Sequence, residues 1–237
     1  MKKQLFLILT TFSLFIVVLL SCEKDYDPSE NTIPPTPPPV SFVEEFDTVA
    51  NLARKGWVIQ NNSDPYGPFA WRQGKYELGG KLGSEVIGFP AYSAVYNQNE
   101  FVSVDLNAGK DASLISCWLI SPAMPLKNGD EISFYTKSHG DFVDRMQVWG
   151  NFTNESINVG KAATEVGDFT TLLLDINELM ADAGYPVNWT KYTLLLSGIT
   201  STNTKHRIAF RYYVPNGGPA GANGDMVGID VFEYKSK

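Results

Sequence analysis

An all-β, two-sheet antiparallel sandwich of the jelly-roll type, with at most one or two short helices, is the fold predicted for residues 41–237. Three observations predict it. Many short segments alternate apolar and polar residues with a period of two. Turn residues punctuate them at short intervals. The helical crossovers that a parallel sheet needs are missing from the pattern.

In chain order, Ser41–Asp47 and Gly56–Gln60 read as the first strands, and Ser93–Asn97 as a third. Ser113–Ile120 is apolar on both faces, as an interior strand requires, and Pro122 stops it. Cys117 lies inside that strand and is expected to be a buried, inert thiol. Asn128-Gly129-Asp130 supplies a turn into Glu131–Thr136. Asp144–Gly150, Thr170–Leu174 and Tyr192–Ser197 follow. Ile208, Phe210, Tyr212 and Val214 alternate with Arg207, Ala209, Arg211 and Tyr213, predicting a strand with one buried face, and Val227–Tyr234 closes the domain. Asp175–Ala183 is the one segment that reads as helix. Asp175 and Glu178 stand at capping-box spacing, and Gly184-Tyr185-Pro186 ends it.

The composition excludes several function classes. With 26 acidic against 19 basic residues, a net charge of -7 and a pI near 4.9, the chain has no basic surplus for nucleic acid. Two cysteines exclude a disulfide scaffold and a four-cysteine zinc site, and two histidines leave little material for His-based catalysis or transition-metal binding. There is no GxSxG elbow, no HExxH and no recognisable Cys-His signature, and no spacing selects a glycosidase-like carboxylate pair. The glycine-rich run 216–224 lacks a GK[ST] ending and leads into a strand, so it is not a phosphate loop. The chain is therefore read as a non-enzyme.

Residues 1–21 read as a signal peptide, with Lys2 and Lys3 before an apolar run from Leu5 to Leu20. Leu19-Leu20-Ser21-Cys22 resembles the bacterial lipobox, which implies lipidation of Cys22 and attachment to a membrane through the lipid. Glu23-Lys24-Asp25-Tyr26-Asp27 resembles the acidic signal that sends lipoproteins to the face of the outer membrane, and is equally an ordinary solvated linker. Residues 22–40 hold six prolines and read as an extended tether, long enough to hold the domain roughly 50 Å from the lipid. The expected location is the outer membrane, lipid-anchored and facing the cell surface.

Within 41–237 a family resemblance emerges. Its motifs are Phe42-Val43-Glu44-Glu45-Phe46-Asp47, Gly56-Trp57, Trp71, Ser116-Cys117-Trp118-Leu119-Ile120-Ser121-Pro122 and Ile132-Ser133-Phe134-Tyr135. Asp144-Arg145-Met146-Gln147-Val148, Arg207-Ile208-Ala209-Phe210-Arg211-Tyr212 and Gly228-Ile229-Asp230-Val231 complete the order. Together they resemble the choice-of-anchor J, or cleaved-adhesin-like, domains of bacterial surface proteins, which implies a galactose-binding-like jelly roll. The chain departs from the family around Gly74–Phe89 and Gly198–Lys205.

Asp230, a carboxylate in an apolar final strand, must be paired, hydrogen-bonded or metal-bound. The resemblance implies a structural calcium between the first and last strands, with Glu44, Asp47 and Asp230 as ligands; otherwise Asp230 pairs with Arg207 or Arg211, or lies exposed at a sheet edge. Tyr66, Phe69 and Trp189 fall in loops beside Asn, Asp and Pro. Flat rings there suit stacking on sugars, the alternative being that they cap the core. Trp57, Trp71 and Trp118 are expected in the core. The function implied is non-catalytic binding of a glycan or of a host or bacterial surface protein. The second reading is a structural or accessory subunit of an outer-membrane uptake or filament assembly.

Overall fold

The predicted alternation folds as two antiparallel sheets in the computed structural model, which describes residues 41–76, 88–201 and 205–237. The signal segment, Cys22, the acidic stretch and the proline tether lie outside the described residues, as do the middles of the 74–89 and 198–205 stretches. The strands are β1 (Ser41–Glu44), β2 (Val58–Asn61), β3 (Asp64–Tyr66), β4 (Arg72–Gln73), β5 (Val102–Asp105), β6 (Gly109–Ile120), β7 (Glu131–Ser138), β8 (Met146–Asn151), β9 (Thr171–Ile176), β10 (Thr190–Leu195), β11 (Arg207–Gly217) and β12 (Met226–Lys235). One sheet runs β10-β7-β12-β5-β4, with β1 beside the far half of β12. The other runs β2-β6-β11-β8-β9, with β3 beside β6. Two short 3₁₀ helices, Val49–Lys55 and Leu106–Ala108, are the helical elements among the described residues.

The core lies between the sheets. Phe134 of β7 meets Phe210 of β11 edge-on at 4.9 Å, and Phe210 meets Phe232 of β12 at 5.9 Å, so aromatic rings bridge the two layers. Trp57, Trp71 and Trp118 are buried, and so is Cys117, whose thiol burial pushes up to about 12.

A bulge in β12 sets which side chains reach that core. Asp230 pairs with Tyr135 and Glu233 with Ser133, so three steps on β12 match two on β7. Val227 and Ile229 face inward before the bulge, Phe232 and Tyr234 after it. Without the extra residue the last pair would turn to solvent. Val231 takes the strain, with a φ of 48° that is uncommon for a β-branched residue.

Three local readings are corrected. Asp175–Ala183 is not a helix: Asp175 belongs to β9, and its carboxylate accepts from Arg145 Nε at 2.8 Å and from Gln147 Nε2 at 2.8 Å. The chain beyond it turns through positive φ at Asn177, Met180 and Ala183, which no helix tolerates. Ser93–Asn97 is not a strand but a loop whose amides bind carboxylates. The face of β11 expected to be polar is also buried. Val159, Val166 and Phe169 pack over Ala209 and Trp118 on the outer side of the second sheet. Arg211 lies beneath that segment, bonded to Ser116 Oγ, Gln147 Oε1 and the carbonyl of Ala163, with its guanidinium over the rings of Tyr213 and Trp118.

Candidate functional site

Two buried carboxylates fix the loop 91–100: Asp230 ties it to the outer face of the first sheet, and Glu100 holds the loop to itself. Asp230 Oδ2 accepts the N–H groups of Tyr92 at 2.9 Å and Ser93 at 3.0 Å, and Oδ1 accepts that of Val231 at 2.9 Å. Burial pushes the Asp230 carboxyl up to about 7; the three amides oppose that shift, and the nearby Glu45 adds to it. Asp230 therefore pairs with neither Arg207 nor Arg211. Glu100, at the end of the loop, accepts the N–H groups of Val95, Tyr96 and Asn97. Burial works against its ionised form, but the amides of Tyr96, Val95 and Asn97 outweigh it and hold the carboxyl below its ordinary value.

This anchoring displays aromatic rings. Tyr96 is 88% exposed, and Tyr92 stacks on Tyr135 of β7 with ring centroids 3.6 Å apart. Trp189, just before β10, is half-buried. It packs edge-on against Phe89, Phe101 and Tyr92, and its indole N–H donates to the Pro90 carbonyl at 2.9 Å. Lys137 lies over the Phe89 ring and Lys191 over Tyr135, so cations flank the patch. On the other sheet's side, Tyr66 ends β3 rather than lying in a loop and Phe69 follows it; they are 72% and 48% exposed and do not cap the core. Arg72 stacks over Phe69 at 4.1 Å while forming an ion pair with Asp105. Trp189 thus joins Tyr92 in one cluster, and among the described residues no ring contact links that cluster to Tyr66 or Phe69.

The three residues expected to hold calcium lie along the start of the domain and β12. Glu44 is opposite Phe232, two residues from Asp230. Its Oε1 accepts from Phe46 N–H at 3.2 Å and pairs with Lys55 Nζ at 2.8 Å, while Oε2 is buried with no hydrogen-bond partner. Asp47 is exposed, and its carboxyl is raised by burial and by the charges of Glu100 and Glu44. Glu45 is raised by burial and by Asp47 and Glu44. An orphaned carboxylate oxygen amid this acidic surplus has the donor chemistry calcium takes, and Asp230 keeps one of its four lone-pair sites. The spacing is looser: Glu44, Asp47 and Asp230 are not within 4.8 Å of one another as a set.

The sequence reading missed Tyr92, Tyr96 and Glu100. Glu100 had a local signal, a carboxylate three to five residues beyond amides it can bind. The contact between Tyr92 and Asp230 had none.

No family model matches the sequence, and no curated protein matches it. Among solved structures, the chain is similar to the K2 cleaved adhesin domain of Lys-gingipain. The identity is 15% and the TM-score 0.50, over 83% of this chain and 98% of that domain. The K1 cleaved adhesin domain of Lys-gingipain from Porphyromonas gingivalis W83 is 18% identical with a TM-score of 0.49, covering 84% and 99% of the two chains. A carbohydrate-binding module of the β-sandwich superfamily is 9% identical with a TM-score of 0.43, covering 79% and 58%. At such identities the K2 likeness establishes a shared fold.

Proposed function

We propose that this chain is a lipid-anchored protein of the outer-membrane surface, of the choice-of-anchor J, cleaved-adhesin-like kind, whose sandwich binds a glycan or a host or bacterial surface protein without catalysis. The observation that carries this reading is the display of Tyr92 and Tyr96 on a loop fixed by Asp230 and Glu100. Flat rings stack on the apolar faces of pyranoses or fill pockets on a protein. A loop already held by buried carboxylates loses little further freedom when it binds. Trp189 extends this aromatic surface, and Tyr66 and Phe69 offer a second, separate aromatic patch on the other sheet's side. Calcium would be held by Glu44, Asp47 and the remaining lone pair of Asp230, supplying charge compensation and rigidity to the first and last strands. Cys22 carries the lipid and residues 22–40 the reach. The test is binding of the full chain to arrayed glycans and extracellular-matrix proteins, with calcium and with chelator. Selective binding supports the reading, and silence from folded protein removes it.

A second reading, a subunit of an outer-membrane assembly, is favoured by the sheet edges. β10 ends one sheet and β9 the other, with Leu195 and Leu172 exposed on them. An unpaired edge can accept another protein's strand. That reading predicts binding that survives loss of the rings and is lost in Leu195→Glu.

A further inference from the structure

His139, Asp141 and Asp225 meet at one end of the first sheet. His139 directly follows β7, Asp141 lies in the loop to β8, and Asp225 directly precedes β12. Their ligand atoms lie within 4.8 Å of one another. His139 Nδ1 is 3.1 Å from Asp141 Oδ2 and 3.2 Å from Asp225 Oδ2. One ring nitrogen has a single hydrogen or a single lone pair to offer two oxygens, and it is aligned for a hydrogen bond to neither.

Asp225 makes the arrangement costly as it stands. The residue is 6% exposed, and its Oδ2, the atom that faces His139, is buried with no hydrogen-bond partner. Burial disfavours its charge, the His139 ring opposes that, Asp141 and Asp105 repel it, and Arg72 is already engaged by Asp105. A cation among these atoms would relieve both the repulsion and the missing donor. The spacing suits one: two ligands about 2.0–2.1 Å from a tetrahedral zinc stand roughly 3.3 Å apart.

We propose that His139 Nδ1 and one oxygen each from Asp141 and Asp225 bind a divalent transition-metal ion of the zinc class, with water completing the shell. The imidazole ligand separates this site from the all-oxygen calcium site and disfavours calcium and magnesium. The supporting bonds are in place. The backbone N–H of His139 donates to the Met226 carbonyl at 3.1 Å, which fixes the chain that carries the ring. The Asp225 N–H donates to Asp144 Oδ1 at 3.0 Å, and the same oxygen accepts the Tyr212 hydroxyl at 2.6 Å. Asp141 is exposed, which gives the ion a path from solvent. Bound there, the ion fastens the end of β7, the following loop and the start of β12.

The full chain, stripped with chelator, is titrated with zinc chloride against a chromophoric competitor, and separately with cobalt(II) for its visible absorption. One tight equivalent of zinc and a cobalt band are expected. His139→Ala should weaken zinc at least a hundredfold and abolish the band, and Asp141→Asn, at an exposed position, should weaken it at least tenfold. The other histidine of the sequence, His206, is buried, so no exposed imidazole remains to compete in His139→Ala. Zinc binding no tighter than calcium binding, or binding that neither substitution changes, overturns the site.

Discussion

The carboxylate of Asp230 on β12 accepts the backbone N–H of Tyr92 at 2.9 Å, across 138 residues of chain. The contact explains both why a carboxylate is tolerated in an apolar strand and why an aromatic loop keeps one shape. Asp230→Ala should leave the Tyr92 and Ser93 amides without acceptors, costing about 2 kcal/mol and speeding their hydrogen exchange. The comparison is made in chelator, so that any calcium effect is absent. Unchanged exchange at residues 92 and 93 would refute the anchoring role.

Arg211 is the strongest case for a substitution that is conservative on paper and not in the fold. Its fork reaches Ser116, Gln147 and Ala163 together, and burial lowers it to about 10. A lysine ammonium has no planar fork to match those acceptors or to stack between Tyr213 and Trp118. Arg211→Lys should cost about 2–3 kcal/mol in urea unfolding and loosen residues 152–169 to proteolysis.

Alkaline pH should weaken the fold. Burial raises Cys117 from 9.0 to about 12 and Tyr234 from 10.0 to about 12, and puts Tyr185 and Tyr212 well above their ordinary value. Above pH 9 the unfolded chain releases protons that the folded chain keeps. The unfolded state then binds fewer protons, so stability falls as pH rises, until Cys117 and Tyr234 titrate in the folded chain near 12. One fully buried group such as Cys117 contributes a slope approaching about 1.4 kcal/mol per pH unit. Urea midpoints from pH 8 to 10.5 should decline, less steeply in Cys117→Ala; a flat profile would contradict the burial of these groups.

Calcium at the proposed ligands should raise the melting temperature by about 5 °C when present at a hundredfold excess over its dissociation constant. Glu44→Gln should remove the effect. No shift, with loading and removal both verified by metal analysis, would eliminate a structural calcium there.

Strand alternation made most of the fold legible. Ile208, Phe210, Tyr212 and Val214 announced β11, and the apolar run around Cys117 announced an interior strand. What failed was local grammar overruled from a distance. Asp175 and Glu178 spell a capping box, but Arg145 and Gln147 claim the Asp175 carboxylate for β9. Ser93–Asn97 alternates like a strand, yet Asp230 and Glu100 take the amides that a ladder would need. The aromatic site was half legible. Trp189 stands beside turn residues that mark a loop, whereas Tyr66 ends β3 on the other sheet's side, Tyr96 lay within the segment misread as a strand and Tyr92 immediately before it. The His139 cluster was hidden because its three members come from chain segments joined only by folding.

The measurement that bears most directly on the central claim compares the wild-type chain with the Tyr92→Ala/Tyr96→Ala double variant on the same glycan and matrix-protein array. Equal melting temperatures first establish that both are folded. Truncating a central aromatic contact costs about 2 kcal/mol, so the double variant should bind the wild-type ligand at least thirtyfold more weakly. Equal binding by both proteins would contradict the assignment of this loop as the contact surface.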